Sequence, residues 1–324
     1  MRSKTKFLSM LLVLLMSLSV LTACAPAAEP AEEPAPAEEP AEEPAEEPAE
    51  EPAEEPAEEP ALVPEEVLKE AALDLLNNIP DNNFIMASDE ALSVFEENPG
   101  AIFWVDLRSP DDYAAGHIAG AVNIPYGEMG NHWDVLPTNR QIIFQCYSGQ
   151  TSAQVTSLAN MLGFNAVSFR GGMNFGWAPL ELGEDTLEME ANELPEASAP
   201  ELDERGQIIW DAAVDYFSAD NYIIAPADLL AIVEENPDAV TVVDIRSAED
   251  YAAGHIETAI NIPFKEVGAN IDQIPMNRPA YVTCYTGQTA GITIAPLRMM
   301  GYNAISLNRG MTGWDGEALP KVTE

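Results

Sequence analysis

Residues Asp106–Pro125 read DLRSPDDYAAGHIAGAVNIP, and residues Asp244–Pro263 read DIRSAEDYAAGHIETAINIP. Fourteen of the 20 positions are identical. Further on, Cys146-Tyr-Ser-Gly-Gln-Thr151 is answered by Cys284-Tyr-Thr-Gly-Gln-Thr289. Both pairs are offset by 138 residues, and Phe84 and Tyr222 keep the same offset. One offset shared by separate motifs means that a whole domain is duplicated. Each copy has kept its cysteine in the same short, glycine-bearing loop.

Working outward, short apolar runs flank these motifs: Ile102–Val105 with Val240–Val243, Ile142–Phe144 with Tyr281–Thr283, and Ala166–Phe169 with Ala304–Leu307. They are too short for helices, rich in β-branched and aromatic residues, and separated by helical stretches. This pattern predicts strands of a buried, mostly parallel sheet. Helices are expected at Pro64–Asn78 and Glu204–Phe217. A second pair should start near Ser88 and Ala227 and end before Pro99 and Pro237, because a proline disfavours helical geometry in the residue before it. The fold class is therefore α/β: two tandem domains, each a central sheet flanked by helices. The expected boundaries are 64–182 and 204–324, joined by an acidic linker at 183–203.

The N-terminal region reads differently. Arg2, Lys4 and Lys6 precede an apolar run, Phe7 to Val20, too short for a comfortable membrane span. Leu21-Thr-Ala-Cys24 follows and resembles the lipobox of bacterial lipoproteins. That resemblance implies a signal peptide over residues 1–23 and lipidation of Cys24. An ordinary secretory signal with an incidental cysteine is the alternative. From residue 24 to 63 the chain is an Ala/Glu/Pro tract. Proline about every fourth residue forbids a continuous helix, and paired glutamates repel, so a solvated spacer is expected.

Charge narrows the partners. Residues 61–324 hold 11 basic and 40 acidic residues, a net −29. That balance disfavours nucleic acid and electrostatic docking on anionic lipid, leaving the lipid anchor as the expected membrane contact. No sequence feature names a protein partner. Three scattered histidines and two separated cysteines do not have metal-ligand spacing, and no glycine-rich phosphate loop is present, so neither metal nor cofactor is expected.

The cysteine loop carries the chemistry. A strand delivers Cys146 to its C-terminal edge, and a helix starts about five residues later. Ligands of open α/β sheets sit at such edges. A helix N-terminus offers unpaired N–H groups and the positive end of a dipole, so a thiolate there is stabilised and nucleophilic. Gly149 permits the turn that aims successive amides at one point. Cys284 and Gly287 repeat the arrangement.

With the Asp-x-Arg and Gly-His-Ile elements, the Cys-x-x-Gly-x-Thr loop, and Gly171-Gly172 or Arg309-Gly310 followed by Trp177 or Trp314, each half resembles a rhodanese domain of the sulfurtransferase superfamily. The resemblance spans about 100 residues of each half. It implies that Cys146 and Cys284 accept sulfane sulfur as a persulfide and pass it to a thiol or cyanide. It also implies that the loop residues Tyr147, Ser148, Gly149, Gln150 and Thr151, and Tyr285, Thr286, Gly287, Gln288 and Thr289, cradle the anion through their backbone N–H groups. The expected partners are a small sulfur-containing donor and that acceptor. The expected location is extracytoplasmic, on the outer face of a bacterial cell membrane or in the periplasm.

Loop length separates two chemistries. A cysteine phosphatase needs an arginine six positions after the cysteine, to clamp phosphate in bidentate fashion. Ser152 and Ala290 stand there instead, and neither loop holds a cation. Arg170 and Arg309 follow a later strand and either reach the mouth of the site or lie on the surface. Tyr147 and Tyr285 either line the pocket or pack beneath the loop. His117 and His255 read as framework, His132 as surface, Arg108 and Arg246 as partners of the aspartate two residues earlier, and Trp177 and Trp314 as core. Three functions are open: a sulfurtransferase, a non-catalytic sulfur-carrier or protein-binding module, and a redox pair in which Cys146 and Cys284 join in a disulfide.

Overall fold

The computed structural model describes residues 61–182, 186–198 and 200–323. The expected signal peptide, Cys24 and nearly all of the Ala/Glu/Pro tract lie outside the described residues. Among those described, no helix is long and apolar enough to cross a membrane.

The first copy runs α1 (Pro64–Asn77), β1 (Ile85–Met86), α2 (Ser88–Glu97), β2 (Ile102–Asp106), α3 (Pro110–Ala114), β3 (His117–Ile118), β4 (Val122–Asn123), β5 (Gln141–Gln145), α4 (Gln150–Met161), β6 (Ala166–Phe169) and β7 (Leu187–Glu188). The second runs α5 (Glu204–Asp215), β8 (Ile223–Ile224), α6 (Pro226–Glu235), β9 (Thr241–Asp244), α7 (Ala248–Ala253), β10 (Ile260–Asn261), β11 (Ala280–Thr283), α8 (Gln288–Met299), β12 (Ala304–Leu307) and α9 (Gly310–Gly316). Each main sheet has five parallel strands, ordered β1-β6-β5-β2-β4 and β8-β12-β11-β9-β10. The fold is α/β with two such units in tandem.

The sheets are buried on both faces, as the continuous apolar runs predict. Along β2, Phe103 and Val105 join one core cluster while Ile102 and Trp104 join the other, the period-2 alternation of a strand. The helices after Ala87 and Ala225 end at Glu97 and Glu235, just short of Pro99 and Pro237. The two-residue strands β1, β4, β8 and β10 were not legible in sequence, because a pair of residues carries no periodicity. The acidic linker is anchored in part: β7 pairs antiparallel with β3, and Asn192 bonds the Tyr113 hydroxyl and the Ala121 carbonyl.

The helices that open each copy cross over. Leu76 of α1 lies in a core cluster of the second copy, and Ile209 and Ala213 of α5, with Tyr216 and Phe217, lie in the core of the first. Matched glycines seat them. A Cβ on Gly130 would lie 2.8 Å from the Val214 carbonyl oxygen, and one on Gly268 would lie 2.4 Å from Asn77 Oδ1. Between the copies α4 packs on α8. A Cβ on Gly291 would lie 2.4 Å from the Gln150 carbonyl oxygen, so only glycine allows the two helices this close.

Gly291→Val should therefore overpack the α4–α8 crossing and lower stability by about 1–3 kcal/mol, read from urea denaturation. An unchanged midpoint would contradict this account of the interface.

Candidate active site

Cys146 leaves the carboxyl end of β5, flanked by β6 and β2, and Cys284 leaves β11 in the same way. Gly149 and Gly287 cap the following helices with φ of 87° and 88°, a left-handed geometry that glycine adopts freely. The turn folds the amides back onto the sulfur. Gly149 N–H lies 3.1 Å and Ser152 N–H 3.5 Å from Cys146 Sγ. Gly287 N–H lies 3.1 Å and Ala290 N–H 3.4 Å from Cys284 Sγ. Both cysteines are free and buried, each in its own copy.

A second glycine turn supports each loop from below. Met173 N–H donates to the Cys146 carbonyl, and Met311 N–H to that of Cys284. A Cβ on Gly172 would lie 2.3 Å from the Cys146 carbonyl oxygen, and one on Gly310 would lie 2.4 Å from that of Cys284. The Gly-Gly and Arg-Gly pairs noted in sequence are these supports.

The loop side chains divide. The exposed Tyr147 and Tyr285 turn their hydroxyls to Asp112 and Asp250 at the starts of α3 and α7. These hydrogen bonds, joined by those of Ser109 and Ser247, hold both carboxyls below their ordinary value of 3.8. Gln150 and Gln288 are buried and cross into the opposite copy. Gln150 Nε2 lies 2.6 Å from Ser306 Oγ and Gln288 Nε2 lies 2.7 Å from Ser168 Oγ. Their backbone stays in the loop, while the side-chain amides belong to the interface.

A cavity of about 580 Å³ opens over Cys284, in the size range of small-molecule sites. Cys284, Tyr285, Thr286, Gln288 and Thr289 line it, and so does Ser148 of the other loop. Sequence reading missed its apolar walls, Ile85, Phe175, Ile245 and Phe264. They lie outside the motifs, and only folding brings them together. Arg170 and Arg309 both line this cavity. Neither has a carboxylate partner among the described residues, and the Arg309 guanidinium lies 4.9 Å from the Phe175 ring centroid. Arg309 takes φ of 57°, at the place where the first copy has Gly171. A non-glycine residue in this region is strained by about 1 kcal/mol.

The remaining polar candidates are framework. Arg108 and Arg246 make bidentate pairs with Asp106 and Asp244 and also donate to the Gly116 and Gly254 carbonyls. Burial alone would lower the Arg246 pKa, and the Asp244 carboxylate outweighs it, holding the group above its ordinary value. His117 and His255 stack on Tyr113 and Tyr251, each with Nδ1 at the carbonyl of the tyrosine it covers. His132 is half-buried, and its ring Nδ1 lies 2.8 Å from the Glu128 carbonyl oxygen. Trp177 and Trp314 are buried in the core.

The family model described as Rhodanese-like domain matches residues 89–178 and 225–317. Thiosulfate sulfurtransferase PspE of Escherichia coli is 31% identical over 72 residues, which cover 22% of this chain and 69% of that protein. Thiosulfate sulfurtransferase GlpE of Actinobacillus pleuropneumoniae is 28% identical over 101 residues, covering 31% of this chain and 92% of that protein. Putative sulfur carrier protein YrkF of Bacillus subtilis is 24% identical over 84 residues; the chain spans 45% of its length. Among solved structures, the 3-mercaptopyruvate sulfotransferase SseA of Escherichia coli aligns over 70% of this chain and 98% of its own, at 19% identity and a TM-score of 0.35.

The tyrosine–aspartate pairs make a pH-dependent prediction. A carboxyl lowered on folding stabilises the fold above its ordinary value of 3.8 and loses that contribution as pH falls through the lowered value. Tyr285→Phe should return the Asp250 titration toward its ordinary value, read by carboxyl NMR. No movement would show that the hydroxyl does not hold it.

Proposed function

The chain belongs to the rhodanese-like domain family, and on that footing we propose that it is an extracytoplasmic sulfurtransferase. The observation that carries this reading is the fan of backbone N–H groups on each cysteine sulfur, with no loop cation beside it. Such a cradle suits a singly charged sulfur anion. A phosphate dianion needs the arginine that Ser152 and Ala290 replace.

The chemistry runs in two steps. The thiolate of Cys146 or Cys284 attacks the outer sulfur of thiosulfate. A Cys S–S bond forms, the sulfur–sulfur bond of the donor breaks, and sulfite leaves with the electron pair. An acceptor thiolate or cyanide then attacks the terminal sulfur of the persulfide and regenerates the cysteine thiolate. Polysulfide serves in the same way, with a shorter polysulfide leaving. The loop amides solvate sulfur in each state.

Support for an anionic donor comes from the cavity over Cys284. Residues 61–324 carry net −29, so an approaching anion is repelled at long range. Arg170 and Arg309 supply local positive charge at the cavity. The strained backbone of Arg309 fits a residue retained for its charge. The signal-like start and the Leu21–Cys24 motif support export and a lipid anchor at Cys24 on the outer face of a bacterial membrane, or in the periplasm.

The test is cyanide-dependent thiocyanate release by the full chain, with thiosulfate or polysulfide as donor. The double variant Cys146→Ala/Cys284→Ala should abolish turnover, and Cys284→Ala alone should remove most of the thiosulfate activity. No turnover and no persulfide mass adduct with either donor would leave a carrier or binding module instead. Arg309→Gly should raise KM for thiosulfate about tenfold while stabilising the fold by about 1 kcal/mol, seen by thermal denaturation. A KM unchanged by both Arg309→Gly and Arg170→Ala would remove the arginines from donor binding.

A further inference from the structure

Gln288 stands four residues beyond Cys284, yet its side chain works in the other copy. Nε2 lies 2.7 Å from Ser168 Oγ and 3.0 Å from the Phe169 carbonyl oxygen, and Oε1 lies 3.2 Å from Gly171 N–H. Two of these partners fix the amide. A backbone carbonyl only accepts and a backbone N–H only donates, so Nε2 faces Phe169 and must donate to Ser168.

The Ser168 hydroxyl proton then has two acceptors, the Gly149 carbonyl at 3.3 Å and Ser152 Oγ at 2.9 Å. Ser152 Oγ lies 3.5 Å from Cys146 Sγ. With a thiol present, S–H donates to Ser152. With a thiolate the direction reverses: Ser152 donates to sulfur, Ser168 to Ser152, and Gln288 to Ser168. Each donor polarises the next, and the chain ends on the anion. Tyr126, which couples electrostatically to Cys146, stays neutral because burial pushes its phenol well up.

We propose that Gln288 is a positioning residue for Cys146: from the active loop of one domain it aligns the hydroxyls of Ser168 and Ser152 as donors to the thiolate of the other. The matching chain in the second domain is broken. Gln150 Nε2 lies 2.6 Å from Ser306 Oγ and 2.9 Å from the Leu307 carbonyl, and Oε1 accepts from Arg309 N–H at 3.1 Å. Ala290 stands where the first domain has Ser152, so no hydroxyl continues to Cys284. The coupling therefore runs one way, from the second loop to the first cysteine. The proposal deepens the sulfurtransferase reading, which gives a readier thiolate its use, but its test reads the thiol directly and stands or falls separately.

The experiment is iodoacetamide alkylation of the full chain across a pH series, with each cysteine followed by peptide mass spectrometry. Gln288→Ala should slow Cys146 about tenfold at neutral pH, with the deficit closing at alkaline pH. Gln150→Ala should cause no such loss at Cys284. Ser152→Ala should reproduce the Cys146 deficit, and adding Gln288→Ala should cost little more, because both act on one chain. Ala290→Ser should build the missing link and speed Cys284 at neutral pH, with the gain lost when Gln150→Ala is added. An unchanged Cys146 profile in Gln288→Ala would overturn the proposal, as would equal slowing of both cysteines at every pH, the mark of a loosened interface. If Gln288→Ala does not fold, Ala290→Ser decides, since it installs the residue type the first domain already holds there. No gain at Cys284 overturns the proposal.

Discussion

On the proposed chemistry, a sulfur anion has to be held at a buried point in a strongly acidic protein. Each cysteine is buried and neither loop holds a cation, so peptide N–H groups are the donors common to both sites. Much of the structure follows from that constraint. Parallel strands bring each cysteine to a carboxyl edge, and a helix starts there to supply free amides. Gly149 and Gly287 take left-handed geometry so that the amides converge on sulfur. Gly172 and Gly310 lie so close beneath that a side chain at either would strike the cysteine carbonyl. Both glycine pairs that shape the cradle, Gly149 with Gly287 and Gly172 with Gly310, are kept between the copies.

The duplication made the cradle twice and then bound the two together. The opening helices exchange partners, and Gln150 and Gln288 exchange amides. The copies have diverged where the exchange allows it. Ser152 faces Ala290, Gly171 faces Arg309, Tyr126 faces Phe264 and Gln154 faces Ile292 at matched positions. In the first copy, polar side chains gather around the sulfur and its neighbours: Ser152 by Cys146, and Gln154 holding Tyr126 and Tyr216. In the second, the same positions are apolar and a cavity flanked by two arginines opens. One scaffold thus holds two buried thiols, with the arginine-flanked cavity over Cys284.

The central strands and the cysteine loops were legible in the sequence, because continuous β-branched runs and a repeated Cys-x-x-Gly motif carry strong local signals. The two-residue edge strands were not, since pairing alone defines them. The exchange of α1 and α5 was hidden for another reason. These helices are the least alike between the copies, each fitted to the surface of the other. The roles of Gln150 and Gln288 were also concealed. A glutamine at the start of a helix reads as part of the loop, and only the packing of α4 on α8 shows where its amide goes. Arg309 left a fainter sign, a bulky residue aligned with a glycine at a turn.

The most direct measurement is a crystal structure of the full chain after exposure to polysulfide. The account predicts added sulfur density on Cys284, with the terminal sulfur within about 3.5 Å of loop N–H groups. Persulfide density turned away from those amides, or a disulfide joining Cys146 to Cys284, would contradict it.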